Sequence, residues 1–151
     1  MARVQGEIVI ERPVEVVLDY VADPRNEPTY NPRMLRSEKL TDGPVDVGTR
    51  FRAVVWSGRR PIDMLIEVTE HKLPTRFGSR TTMSSADIEG GLTFVPVAGG
   101  IWMTWSWEIS PKGPLRLPTP LVVRLGRRQE KTCWTGLKQY LEGAQAARAR
   151  T

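Results

Sequence analysis

Few residues in this sequence could do acid–base, nucleophilic or metal chemistry. Cys133 is the only cysteine and His71 the only histidine, so neither an internal disulfide nor a zinc site is expected. His71 ends a predicted strand beside Lys72, as a surface histidine would. Cys133 falls on the apolar side of a predicted helix, where a free cysteine usually acts as a small hydrophobic residue. We therefore predict no catalytic residue, no metal and no cofactor.

The aspartates and glycine pairs do not supply a catalytic motif either. Asp63 alternates with apolar residues and is predicted to face solvent, and Asp23 precedes Pro24, where it is predicted to cap a turn. The sequence contains neither GxxxxGK[ST] nor GxGxxG, the loops that hold nucleotide phosphates. Gly90–Gly91 and Gly99–Gly100 are interpreted as hairpin turns.

The stretch GGIWMTWSWEI (99–109) holds three of the five tryptophans. Successive strand residues point to opposite faces of a sheet, and Glu108 marks the outer face. Trp105 and Trp107 are then predicted to face inward and Trp102 outward. The two inward tryptophans could form an aromatic wall for a planar ligand or could simply fill the core, and the pattern leaves both interpretations open.

Length, composition and charge narrow the class of protein. A chain of 151 residues fits one domain, 1–151, with a core of its own. No apolar stretch approaches the roughly 20 residues of a membrane span, and the first residues do not resemble a signal peptide, so we expect a cytoplasmic protein without stable membrane insertion. The net charge is +5. The arginines are scattered along the chain. A basic cluster lies around Arg124–Lys131, but the aromatic residues that could stack on bases fall on other elements. No nucleic-acid partner is therefore predicted.

Hydrophobic periodicity and helix breakers predict the order of elements. Alternation over 3–11 indicates a strand, and apolar residues at helical spacing over 13–22 indicate a short helix. The proline-rich segment that follows leaves room for one more short helix. The pattern over 33–110 is strand-like with short turns, and Thr119–Pro120 begins a long helix that reaches about residue 145. The predicted class is α+β, with helices packed on one side of an antiparallel sheet.

The chain resembles the START-like (SRPBCC) superfamily, in particular its polyketide cyclase/dehydrase and lipid-transport branch. The similarity lies in RPVEVVLDYVADPRNEPTYNP (12–32), VGTRFR (47–52), IEVTEHKLPTRFGSR (66–80), LTFVPVAGGIWMTWSWEI (92–109) and LKQYLEG (137–143). The resemblance implies a helix-grip fold, in which a curved seven-stranded antiparallel sheet wraps around a long C-terminal helix and two short helices separate strands 1 and 2. It also implies an internal cavity for apolar small molecules.

Strand parity and a helical wheel then predict which side chains line that cavity. Enzymatic members of the superfamily often carry charged or histidine side chains in the pocket, and the predicted inward positions offer none. The predicted ligand-binding residues are Tyr30, Phe51, Val55, Met64, Ile66, Ser79, Thr81, Met83, Phe94, Met103, Trp105, Trp107, Gln129 and Cys133.

We therefore expect a protein that binds or carries a small apolar molecule, either aromatic, polyketide-like or lipid-like. The alternative is a polyketide cyclase or dehydratase in which Tyr30, Gln129, Ser79 and Thr81 orient the substrate, although a credible acid or base is missing. Trp56 and Trp102 are both predicted on the outer face of the sheet, where they could form a homodimer contact.

Overall fold

The predicted order of strands and helices is confirmed. The computed structural model describes residues 2–113 and 117–149, with side chains as far as Gly143. Seven strands and three α-helices follow one another, with a 3₁₀ turn, Pro24–Asn26, between the first two helices. Their bounds are β1 Ala2–Ile10, α1 Val14–Val21, α2 Glu27–Tyr30, β2 Met34–Lys39, β3 Arg50–Trp56, β4 Pro61–Lys72, β5 Arg76–Thr82, β6 Ala86–Val97, β7 Gly100–Pro111 and α3 Thr119–Ala149.

The corner between β1 and β2 forms as its prolines require. Pro13 immediately precedes α1, whose buried residues Val17, Leu18 and Val21 recur at helical spacing. The predicted turn cap at Asp23 is confirmed, because its Oδ1 accepts a hydrogen bond from the backbone N–H of Arg25 at 3.0 Å. The chain then turns through α2, which places Tyr30 in the core.

All seven strands form one antiparallel sheet in the order β1-β7-β6-β5-β4-β3-β2. The interpretation of Gly90–Gly91 as a hairpin turn is wrong, because both residues lie inside β6 and pair with Trp107 and Ser106 of β7. A Cβ at Gly90 would collide with the backbone oxygen of Ser106, and one at Gly91 with the backbone oxygen of Phe77. Glycine is needed here because neighbouring backbones approach closely, not because the chain reverses.

Helix α3 forms as predicted, but its buried stripe is rotated from the predicted one. A helical wheel counted from Leu121 predicts Val122, Leu125, Cys133, Leu137, Tyr140 and Ala144 on the buried side. Val122, Cys133 and Leu137 are buried as predicted, but Leu125 and Tyr140 are 40% and 42% exposed, and Ala144 lies outside the residues whose side chains are described. The buried positions are Val122, Cys133, Trp134, Leu137 and Leu141.

Two glycines of α3 lie very close to neighbouring elements. Gly126 lies against Val4 and Ile109, and Gly136 lies against the backbone of Tyr30. A side chain larger than hydrogen at either position would collide with its neighbour, so both glycines allow α3 to pack in the observed orientation. In the part of the chain described, no helix is long and apolar enough to cross a membrane.

Candidate ligand-binding site

The strand residues predicted to face inward do face the interior. Cross-strand partners point to the same face of the sheet, and the pairing joins predicted inward residues on neighbouring strands. For example, Met64 pairs with Ala53, and Ile66 pairs with Thr81. Among the predicted site residues the buried ones are Tyr30, Phe51, Ile66, Ser79, Phe94, Met103, Trp105 and Cys133, and the partly exposed ones are Val55, Met64, Thr81, Met83 and Trp107. Their role in ligand binding stays a prediction.

Gln129 is the exception, and its predicted inward orientation is wrong. Its side chain is exposed on α3, because the helix is rotated about its axis relative to the predicted wheel. The rotation turns the next residue, Glu130, toward the interior instead. The polar side chain that this part of α3 contributes to the interior is therefore a glutamate and not the predicted glutamine.

Glu130 is the centre of a polar cluster inside the protein. Its Oε2 accepts a hydrogen bond from Trp107 Nε1 at 2.9 Å and another from Trp134 Nε1 at 2.7 Å. Burial raises the pKa of this carboxyl, and the two indole donors oppose that rise by stabilising the charged form. The prediction that no charged side chain faces the interior is thus wrong.

A second carboxyl group, that of Glu27, lies within electrostatic range of Glu130. Glu27 as a whole is partly exposed, but its carboxyl group is surrounded by protein. Burial and the charge of Glu130 raise the pKa of Glu27 to about 8, while a hydrogen bond with the Asn31 side chain lowers it. At neutral pH Glu27 is therefore mainly protonated and can donate a hydrogen bond, while Oε2 of Glu130 accepts the two indole hydrogen bonds.

Tyr30 and Cys133 complete the titratable groups around this pair. Burial, followed by the charge of Glu27, raises the pKa of the Tyr30 phenol and also that of the Cys133 thiol. Both side chains are neutral at physiological pH, so Cys133 is poorly suited to act as a nucleophile. Among the described residues, no three His, Cys, Asp or Glu side chains are grouped so that they could hold a metal ion.

Aromatic rings surround the polar cluster on one side. The ring of Trp134 lies 6.0 Å from that of Trp105 and 6.1 Å from that of Tyr30, measured between centroids. Trp105 also covers Gly6, its cross-strand partner, where a Cβ would collide with the indole ring. These contacts form an aromatic wall of Trp105, Trp134 and Tyr30 beside Glu130.

The inner face of the sheet is sealed at one end and partly open at the other. Met103 and Ile101 have no exposed surface, and Phe94 is 3% exposed. Toward the opposite end of the sheet several inward side chains keep partial contact with solvent, and these are Val55, Met64, Thr81 and Ile88 within the strands and Met83 just beyond β5. We call this second group the open end of the inner face.

Two depressions on the protein surface lie elsewhere. One, of about 400 Å³, lies on the outer face of the sheet, and its charged residues pair with one another, as in Arg76–Glu70 at 2.8 Å. The other, of about 420 Å³, lies along α3. Neither includes Glu27 or Glu130, so the polar cluster is a separate feature.

Sequence reasoning missed Glu27, Glu130 and Trp134. A signal for two of them is present, because Glu130 and Trp134 are four residues apart and share one side of a helix with Gly126 and Leu137. The sequence around Glu27 carries no comparable signal, since a glutamate in a proline-rich corner is expected at the surface. Only the tertiary fold brings its carboxyl group close to Glu130.

A curved antiparallel sheet that encloses a polar cluster beneath a long C-terminal helix defines a START-like protein of the helix-grip class. The sequence profile of the family "Polyketide cyclase / dehydrase and lipid transport" matches residues 1–142, and the chain belongs to that family. No curated protein sequence matches the chain significantly.

Solved structures share the fold at low sequence identity. A START superfamily protein from Mycobacterium smegmatis is 15% identical, with a TM-score of 0.84 over 95% of this chain and 99% of the other. A protein from Thermus thermophilus is 20% identical, with a TM-score of 0.80 over 94% and 98%. A STAR-related lipid transfer protein fragment from Xanthomonas axonopodis is 18% identical, with a TM-score of 0.69 over 91% and 84%.

Proposed function

We propose that the protein binds a small, mainly apolar molecule between the sheet and α3, with the polar cluster at the ligand's polar end. The observation that carries this proposal is the convergence of Trp107 and Trp134 on the buried carboxylate of Glu130. Burying a carboxyl group is costly, and an apolar side chain would serve the core better. Perturbed, buried titratable groups are concentrated at functional sites.

The chemistry of the site defines the class of ligand. Protonated Glu27 offers a hydrogen-bond donor, and Glu130 is an acceptor. The aromatic wall suits a planar ring. We therefore favour an aromatic, polyketide-like or lipid-like molecule that carries a hydroxyl or carbonyl group. The family description includes lipid transport, and the Xanthomonas relative is described as a lipid transfer protein.

The open end of the inner face is the proposed entrance. Side chains there face inward yet remain partly exposed, so a ligand could pass them without unfolding of the sheet. Ser79 lies deeper on the same strand as Thr81 and is 8% exposed. Its hydroxyl is a polar group available to a ligand that enters beyond Thr81.

The fluorescence of N-phenylnaphthylamine, a neutral aromatic probe, tests this proposal. Thr81→Trp places a bulky side chain in the proposed entrance, whereas Thr82→Trp places the same side chain on the exposed outer face of the same strand. We expect the wild type and Thr82→Trp to bind the probe and Thr81→Trp to bind it at least about tenfold more weakly, a loss of about 1.4 kcal/mol. Absence of binding to the wild type, or equal binding by both variants, would contradict the proposal.

A cyclase or dehydratase is the second candidate function, and the pair of carboxyl groups favours it. In a dehydration, protonated Glu27 would donate its proton to a departing hydroxyl while ionised Glu130 took a proton from the neighbouring carbon. One C–O and one C–H bond would break, a C=C bond would form and water would leave. Two carboxyl groups, one protonated and one ionised, are suited to such paired roles. This candidate requires that Glu27 be protonated and Glu130 ionised at neutral pH.

A further inference from the structure

The first half of α3 presents basic side chains to solvent. Arg124, Arg127, Arg128 and Lys131 are all exposed, and we call these four residues the basic face. Among the described residues none of the four forms an ion pair with a carboxylate. Glu130 is the only acidic residue between 117 and 131, and its carboxyl group points to the interior. The positive charge on this surface is therefore not neutralised locally.

Apolar side chains lie beside these charges and are also unusually exposed. Leu117, Leu121 and Leu125 are 47%, 40% and 40% exposed. The depression of about 420 Å³ along α3 is lined by Pro120 and Val123 together with all four residues of the basic face. An apolar floor is thus surrounded by cationic side chains.

We propose that this surface of α3 docks onto an anionic lipid bilayer. Basic side chains near such a bilayer are attracted to its negative surface potential, and neighbouring leucines can enter the boundary between headgroups and acyl chains. Nucleic acid is the other polyanion that could bind the basic face. It is less suited to exposed leucines, and the exposed tryptophans Trp56 and Trp102, which could stack on bases, lie on the sheet instead.

The position of this surface also fits the proposed carrier function. Gly126 of α3 lies against Ile109, and the sheet register connects Ile109 through Ile88 to Thr81. The basic half of α3 is therefore at the same end of the sheet as the open end of the inner face. This connection depends on the proposed function, whereas the docking surface itself does not.

Sedimentation with lipid vesicles tests the docking surface. We compare phosphatidylcholine vesicles with vesicles that also contain phosphatidylserine, at low salt. The wild type should bind the anionic vesicles selectively, and binding should weaken as salt is added. The triple variant Arg127→Ala, Arg128→Ala and Lys131→Ala should bind roughly 100-fold more weakly.

Two further variants separate the position of the charges from their number. Arg36→Ala, Arg59→Ala and Arg60→Ala removes the same charge from exposed positions elsewhere and should retain nearly full binding. Leu121→Ser with Leu125→Ser should weaken binding about tenfold without loss of charge. The proposal would be overturned if the control triple variant lost as much binding, if the protein bound both kinds of vesicle equally, or if the leucine changes had no effect. It would also be overturned if the protein preferred an oligonucleotide to anionic vesicles at the same salt concentration.

Discussion

Two indole N–H groups donate hydrogen bonds to one carboxylate oxygen of Glu130. This arrangement could not be predicted from the sequence. Strand parity correctly turned Trp107 inward but did not supply a partner for its N–H. The partner comes from α3 and depends on which side of that helix faces the sheet. Trp134 was overlooked because it stands outside the tryptophan-rich strand. Residue-level chemistry was thus less predictable than strand orientation.

Glu27 provides a prediction about pH. Its pKa is raised to about 8 in the folded protein, from an ordinary value near 4.5. The folded state therefore holds a proton that the unfolded state releases between these values, so this contribution to stability is complete at low pH and is lost as pH rises toward 8. Between pH 6 and 8 the free energy of unfolding of the wild type should fall by about 2 kcal/mol because of this group.

The variant Glu27→Gln removes the titration while keeping the shape of the side chain. Its stability, measured by urea unfolding at a series of pH values, should change much less over that range and should exceed that of the wild type above pH 8. Glu15→Gln, at an exposed position of α1, should keep the pH dependence of the wild type. Parallel curves for the wild type and Glu27→Gln would show that Glu27 is ionised at neutral pH, and would remove the acid required by the dehydratase candidate.

At the scale of elements, the sequence predicted most of the fold. Pro13, Asp23 and Thr119–Pro120 are local signals that act within one turn of chain, and helices begin or turns form where they indicated. Gly90–Gly91 was misinterpreted because close packing of neighbouring strands and chain reversal both require glycine. The rotation of α3 was missed because Leu121 and Leu125 are apolar yet exposed, so hydrophobicity alone selects the wrong face.

Gly136 tests whether close backbone approach determines the position of α3. A Cβ at Gly136 would collide with the backbone oxygen of Tyr30, whereas one at Gly143 would meet no atom within 4 Å. Gly136→Ala should therefore lower the free energy of unfolding by about 1–3 kcal/mol. Gly143→Ala should raise it by up to about 1 kcal/mol through helix propensity. Thermal and urea unfolding of both variants provide the measurement, and stabilisation by Gly136→Ala would show that this contact does not constrain the helix.

At the scale of the whole molecule, the two faces of the sheet separate the tryptophans into two groups. Trp56 and Trp102 are 43% and 37% exposed on the outer face, as predicted. They do not form one patch, because β4, β5 and β6 lie between their strands. Trp102 instead pairs with Val9 and Val95, which are also exposed. A homodimer through the outer face stays a prediction, and each tryptophan would contribute to a different part of it.

The fold and the family could be predicted from patterns that extend along the whole chain. The proposed ligand site, in contrast, depends on a few side chains that only the folded protein brings together. Trp105, Trp107 and Trp134 surround the proposed site, and Trp56 and Trp102 are on the opposite face. The five indole N–H groups therefore provide both a readout of the site and an internal control within one protein.

The most direct test is a titration of isotope-labelled protein with N-phenylnaphthylamine, followed through the indole N–H signals in a nitrogen–proton correlation spectrum. Single Trp→Phe variants assign the signals. We predict that the signals of Trp105, Trp107 and Trp134 shift with a common saturation curve while those of Trp56 and Trp102 stay in place. Shifts confined to Trp56 and Trp102, or no shift at saturating probe, would contradict an internal binding site.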